Sequence, residues 1–305
     1  MLVLICLGVL RGQTVFVALQ AVAPKAVAAQ PDAPKRIVSL VPALTEILFA
    51  VGAGPQVVGV SSFDNFPASA RSLPKVGGLV DPDTERILSL RPDLVLVYGS
   101  QTDLAAQFRR AGIRVYSYRY PTTDAIAEIE RTIRELGSLT GHAAQGDQAA
   151  RTLQSQLDAV RLRVRGRPRP KTMLVIGRDA LALRGVFASG GIGFLHEMLD
   201  AAGGDDVFAD QKRESVQPSN ETMLVRAPEV IVELKSGEPP AVDVLQKERA
   251  VWSQLPSVPA VRSGRVYLLY GAYLVAPGPR IGQAAEQLAR ALHPEVFADP
   301  KGPRR

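Results

Sequence analysis

The side chains best placed to do chemistry in this chain are aromatic. Phe63, Phe66, Tyr98, Phe187, Tyr270 and Tyr273 all fall in loop-like segments next to apolar runs, although aromatics make up only 6% of the 305 residues. Pro42, Ala43, Leu79 and Ser215 lie in segments of the same kind. Loops at the carboxyl ends of strands line the ligand crevice of open α/β sheets. Rings presented there from two sides suit a large, flat, mostly apolar ligand that is held rather than transformed. Groups for catalysis or metal ligation are sparse. The chain has one cysteine, Cys6, and three histidines, His142, His196 and His293, too few soft ligands for a structural zinc site. It contains no G-x-S-x-G elbow and no P-loop. Gly191-Ile192-Gly193-Phe194-Leu195-His196 lacks the third glycine of a dinucleotide fingerprint, and His196-Glu197 does not have zinc-protease spacing. No catalytic residue and no metal ligand is therefore expected, and His196 is expected to be a partly buried helix residue.

These residues sit in a pattern written twice. Asp81-Pro82-Asp83-Thr84-Glu85-Arg86-Ile87-Leu88 aligns with Gln217-Pro218-Ser219-Asn220-Glu221-Thr222-Met223-Leu224. At the same offset, Arg91-Pro92-Asp93-Leu94-Val95 aligns with Ala227-Pro228-Glu229-Val230-Ile231. Glu46-Ile47-Leu48 and Gly52 are echoed by Glu197-Met198-Leu199 and Gly203, and Arg114-Val115-Tyr116 by Arg265-Val266-Tyr267. Repeats in the same order imply two lobes of similar construction, and two copies are too few for a solenoid. Glu85 and Glu221 are the acids this repeat singles out.

The elements that must position these residues alternate between strand and helix. Arg36–Leu40, Val57–Ser61, Leu94–Tyr98 and Ile113–Tyr118 read as strands. Helices are expected over Thr45–Val51, from a cap at Asp81 or Asp83 with Pro82 in the first turn, and over Leu104–Ala111. The second lobe repeats this with strands near Thr172–Ile176, Val230–Leu234 and Arg265–Tyr270, and a last helix at Ile281–Leu292. Alternation of this kind implies parallel sheets. The fold class is therefore α/β, two parallel-sheet lobes joined by a single long helix, with a ligand cleft between them. Ile126, Ile129, Ile133 and Leu136 space as a helix face that Gly137 and Gly141 interrupt. Residues 143–165 then form one helix of about 34 Å at 1.5 Å per residue, a stiff strut between the lobes.

Residues 1–28 read as an export signal: they contain no acid, two apolar stretches around Arg11, and a small-x-small site at Ala26-Val27-Ala28. Cys6 lacks the small preceding residue of a lipoprotein site. The boundaries are thus a signal peptide at 1–28, a first lobe at 36–122, a helical connection at 123–166, a second lobe at 170–295 and a tail at 296–305. The net charge of +6 is scattered among 30 acids rather than gathered on one face, and no nucleic-acid partner is expected.

Arg36-Ile37-Val38-Ser39-Leu40-Val41-Pro42-Ala43-Leu44-Thr45-Glu46, Gly59-Val60-Ser61-Ser62-Phe63-Asp64-Asn65-Phe66-Pro67, Pro74-Lys75-Val76-Gly77-Gly78 and Glu85-Arg86-Ile87-Leu88-Ser89-Leu90-Arg91-Pro92-Asp93-Leu94-Val95 resemble the helical-backbone metal-chelate receptors of ABC importers. The resemblance covers essentially the chain after the leader and is strongest at 36–98. It implies lobes on a rigid helix, little closure, and a soluble periplasmic monomer that performs no chemistry. It implies a cobalamin or other corrinoid-like metal chelate as ligand, with the metal carried inside the ligand and no cofactor belonging to the protein. The implied partners are an ABC permease and its ATPase, with one glutamate per lobe, Glu85 and Glu221, docking on the permease. Carried over by resemblance, ligand-contacting rings fall on Phe63 and Tyr98. A further ring position is occupied by Leu79, a tryptophan position by Ser215, and an Asp and an Arg position by Ala272 and Ala276, with Tyr270 and Tyr273 available as substitutes. The tyrosine ligand of the family's haem receptors would fall near Gly78. A siderophore receptor could use Arg178 and Arg184 against an anionic chelate. A ferric-siderophore or haem receptor, and an exported enzyme or sensor domain on the same scaffold, are the alternatives.

Overall fold

The computed structural model describes residues 32–120 and 122–297. The signal peptide read at 1–28 and residues 298–305 lie outside the described residues. The first sheet is four-stranded, with β1 (Ile37–Ser39), β2 (Val57–Val60), β3 (Leu94–Tyr98) and β4 (Arg114–Tyr118) in the order β2-β1-β3-β4. Every pairing in it is parallel. Its helices are α1 (Pro42–Ala50), α2 (Ala68–Arg71), α3 (Thr84–Ser89) and α4 (Thr102–Arg110). Two further helices follow, α5 (Ala125–Leu139) and α6 (Ala143–Val164).

The second sheet contains β5 (Lys171–Gly177), β6 (Phe187–Ser189), β7 (Asp205–Asp206), β8 (Ser215–Val216), β9 (Val230–Lys235) and β10 (Val266–Tyr270). Its order is β10-β9-β5-β6-β8, with β7 paired to β5. The run β10-β9-β5 is parallel and mirrors β4-β3-β1 of the first sheet, whereas β6 pairs antiparallel with both β5 and β8. The second sheet is thus mixed rather than parallel throughout; its strands β6 and β8, three and two residues long, are too short to show as apolar runs. Its helices are α7 (Phe194–Ala201), α8 (Asn220–Arg226), α9 (Val242–Ala250), α10 (Pro259–Arg262), α11 (Ile281–Leu292) and α12 (Pro294–Phe297). Helix α12 continues past the tail boundary expected at 296, and Phe297 packs against the core beneath the guanidinium of Arg290.

The repeat is a structural one. Asp83 caps α3 by accepting from the Arg86 N–H, and Ser219 caps α8 by accepting from the Thr222 N–H. Pro82 therefore precedes the cap rather than occupying the first turn. Ile87 and Met223 are both fully buried one turn later. Arg91 and Ala227, at matched positions before Pro92 and Pro228, both adopt positive φ, 46° and 47°; a following proline disfavours the right-handed helical conformation that would extend each helix.

Three apolar clusters hold the molecule. Val38, Val95 and Phe108 cover one face of the first sheet, and Met173, Met223 and Trp252 one face of the second. The largest cluster joins both lobes: Leu44, Ile47 and Leu96 share it with Ile133, Leu153 and Leu157 of α5 and α6 and with Leu199, Val232 and Leu288. The connecting helix α6 therefore buries one face, with Ala150, Leu153, Leu157, Val160 and Val164, in this cluster and leaves its other face exposed. Gly137 does not interrupt α5 as expected. It lies within the helix and lets α6 approach, since a Cβ there would stand 2.8 Å from the Gly146 Cα.

Candidate ligand cleft

The first-lobe wall of the cleft is built by the turn after β2. Ser61 Oγ donates to Asp64 Oδ2 at 2.5 Å, the Phe63 N–H donates back to Ser61 Oγ, and Lys75 Nζ donates to the Asp64 carbonyl. This bonding fixes the turn and turns the Phe63 ring outward, 70% exposed. Gly78 makes room for it, because a Cβ at that position would lie 2.7 Å from the ring. Burial pushes the Asp64 carboxyl up from its ordinary pKa, opposed by the hydrogen bond from Ser61. Gln101 ties a second loop in place, accepting from the Tyr98 N–H and donating to the Leu79 carbonyl.

Between the lobes lies a cleft of about 490 Å³. Pro42, Ala43, Phe63, Phe66, Tyr98 and Tyr120 line it from the first-lobe side, and Ser236, Gly237, Ala272, Val275, Ala276 and Pro277 from the second. Its charged lining residues are Glu46 and Asp64. Glu46 is answered by Arg280, whose Nε and NH2 donate to the two carboxylate oxygens at 2.7 and 2.5 Å. Burial raises the phenol pKa values of Tyr98 and Tyr120, which keeps both hydroxyls protonated as donors. Among the described residues, no group of three or more His, Cys, Asp or Glu could hold a metal ion.

Pro42, Ala43, Phe63, Phe66 and Tyr98 are thus brought together, but the remaining expected contacts are not. Leu79 is half-exposed beside the lining, and Phe187 on β6 and Ser215 on β8 lie outside it. The Tyr273 hydroxyl donates to Gln287 Oε1 at 2.5 Å, so its ring lies behind the cleft wall. The Tyr270 hydroxyl donates to Glu248, and burial and that carboxylate push its pKa up to about 12. Neither arginine expected to meet an anionic chelate lines the cleft. Arg178 is fully buried against Glu233 at 2.9 Å, and Arg184 pairs with Asp179. Glu85 and Glu221 stand exposed in the first turns of α3 and α8, at matched positions on the two lobes.

The model of the periplasmic binding protein family matches residues 37–273. The chain belongs to that family. The vitamin B12-binding protein of Salmonella typhimurium is 32% identical over 260 residues, covering 84% of this chain and 90% of the relative. Among solved structures, the periplasmic vitamin B12 binding protein of Vibrio cholerae superposes with a TM-score of 0.71 at 24% identity, over 87% of this chain and 99% of its own. A periplasmic heme binding protein of Pseudomonas aeruginosa superposes with a TM-score of 0.72 at 25% identity, over 88% of this chain and 95% of its own. This periplasmic binding protein therefore has the two-lobe substrate-binding fold. No helix among the described residues is long and apolar enough to cross a membrane.

Sequence reasoning missed Tyr120 and Glu46 as cleft residues of this periplasmic binding protein, and Arg280 as the partner of Glu46. Glu46 carried a signal: it is the lone charge in the apolar stretch from Ile37 to Val51. An acid in a buried face must be paired, but the stretch does not say with what. Glu197 reads as the repeat partner of Glu46 and, beside His196, as lacking zinc-protease spacing. It instead accepts from the Ala125 and Ile126 N–H groups at 2.6 and 2.9 Å, so a second-lobe carboxylate caps α5, where the helix dipole favours an anion.

Proposed function

We propose that this substrate-binding protein of an ABC transporter captures a corrinoid-like metal chelate, with cobalamin the first candidate, and delivers it to the permease. The observation that carries this reading is the chemistry of the cleft wall. Phe63, Phe66, Tyr98 and Tyr120 offer ring faces, and the facing loop offers Ala272, Val275, Ala276 and Pro277. Among the described lining residues there is no lysine or arginine to meet an anionic chelate. A flat chelate ring fringed with neutral amides suits such a wall, and the two phenol O–H groups can donate to its carbonyls. The cleft is open, so a ligand larger than its volume can project beyond the mouth. Any metal travels inside the ligand, and no chemical step is assigned to the protein. Export and a periplasmic location agree with the family and with the leader composition. Glu85 and Glu221, exposed at matched helix starts, are assigned to permease docking.

Haem is the second reading, favoured by Tyr120 on the cleft wall and by the heme-binding neighbour. Haem iron can take a tyrosine ligand, but burial opposes ionisation of both cleft phenols. Titration calorimetry of the purified protein with cyanocobalamin, haemin and a ferric siderophore separates the readings. Saturable heat with cyanocobalamin is expected. Haemin binding without any response to cyanocobalamin would replace the corrinoid by haem.

A further inference from the structure

Arg280 is held from both lobes at once. From the first lobe, Glu46 on α1 accepts its bidentate hydrogen bonds, and the Phe66 ring centroid lies 3.7 Å from the guanidinium carbon. From the second lobe, the Tyr273 ring lies 4.9 Å away, and the arginine itself is the residue before α11. Glu46 is buried and Arg280 largely so, with side-chain exposures of 6% and 16%. Phe66 belongs to the first-lobe cleft wall, and Arg280 ends the loop that carries Ala272, Val275, Ala276 and Pro277 of the second. Gly278 of that loop lies against α1, where a Cβ would be 3.6 Å from the Ala43 carbonyl.

From this we infer that the Glu46–Arg280 pair, clamped between the Phe66 and Tyr273 rings, is an interlobe latch that sets the aperture of the cleft and the orientation of Phe66. Both residues are positioning residues, acting through the walls they tie together. A change of aperture at this seam must turn the lobes about the pair or separate it. Separation leaves a buried charge without its partner, which is strongly unfavourable. A planar guanidinium supports this role because its fork matches the carboxylate while its faces accept the two rings. A lysine ammonium provides a single charge without that plane.

The latch does not depend on which ligand the cleft takes, so it is tested without ligand. Spin labels on Gln107→Cys and Asp243→Cys, with Cys6→Ser, report the distance between the exposed faces of the two lobes. A narrow distance distribution is expected for the otherwise unaltered protein. Arg280→Ala and Glu46→Gln should broaden it about twofold, with Arg280→Lys intermediate. Phe66→Leu, which leaves both charges, should broaden it less. Thermal unfolding of each variant identifies those that fold, and Glu46→Gln and Phe66→Leu keep the test decisive if Arg280→Ala does not fold. Folded Glu46→Gln and Phe66→Leu proteins with the unaltered width would overturn the proposal, whatever the calorimetry shows.

Discussion

His196 shows how one side chain can be well placed for chemistry and serve structure. Its Nδ1 lies 3.0 Å from Asp206 Oδ2, and the other Asp206 oxygen accepts from the Phe208 N–H. The hydrogen bond that the ring N–H donates to Asp206 raises the histidine pKa above its ordinary value, against a smaller opposing effect of burial. A raised folded-state pKa means that the protonated pair stabilises fully below the unfolded value of about 6.5 and fades as pH rises through the folded value. His196→Asn should therefore lower the melting temperature more at about pH 5 than at about pH 9, where the imidazole is neutral in both states. Equal losses at the two pH values would show that packing, not charge, is what the histidine supplies. The buried Arg178 follows the same lesson. It was a plausible anion receptor by type, but Glu233 lies on the neighbouring strand and Trp252 donates to the same carboxylate oxygen. No pattern local to Arg178 announces those partners.

At the scale of elements, periodicity and capping were legible because they act over a few residues. Helix α11, Ile281–Leu292, and the strand Leu94–Tyr98 match their expected limits, since apolar spacing and the flanking glycines and prolines are local signals. Gly137 was misread for the converse reason. A glycine looks like an interruption in isolation, yet its missing side chain is what α6 packs against. Alanine at this position gains up to about 1 kcal/mol of helix propensity, but its Cβ would meet backbone, 2.8 Å from the Gly146 Cα and 3.0 Å from the His142 carbonyl. Overpacking of that kind typically costs about 1–3 kcal/mol. Gly137→Ala should thus destabilise the protein in thermal unfolding, whereas Gly177→Ala, with nothing within 4 Å of the added carbon, should change it little. A raised melting temperature for Gly137→Ala would show that α5 and α6 separate easily.

At the scale of the molecule, the duplicated lobes present α3 and α8 with a side-chain cap (Asp83, Ser219), a buried apolar residue (Ile87, Met223) and an exposed glutamate (Glu85, Glu221) at matched positions. Local helix stability does not require this, since an acid in a first turn contributes only about 0.3–1 kcal/mol. Replacing Glu85 and Glu221 by alanine together should abolish ligand uptake in a transport assay with the membrane partner while leaving ligand affinity within about twofold, a change below 0.5 kcal/mol. A large loss of affinity in the isolated protein would move these residues from docking to binding.

The repeat, the alternation of strand and helix, and the near absence of catalytic or metal-ligating groups were all present in the linear chain, because composition and short-range spacing suffice to express them. Five expected cleft residues were legible in the same way, as they end a strand or follow one within a few residues. The cleft's electrostatic character was not. Glu46 and Arg280 are 234 positions apart, Glu197 caps a helix 72 positions away, and Tyr273 and Tyr270 turn from the cleft to partners on other elements. Charge pairing and ring direction depend on which elements packing brings together, and only the folded chain contains that information.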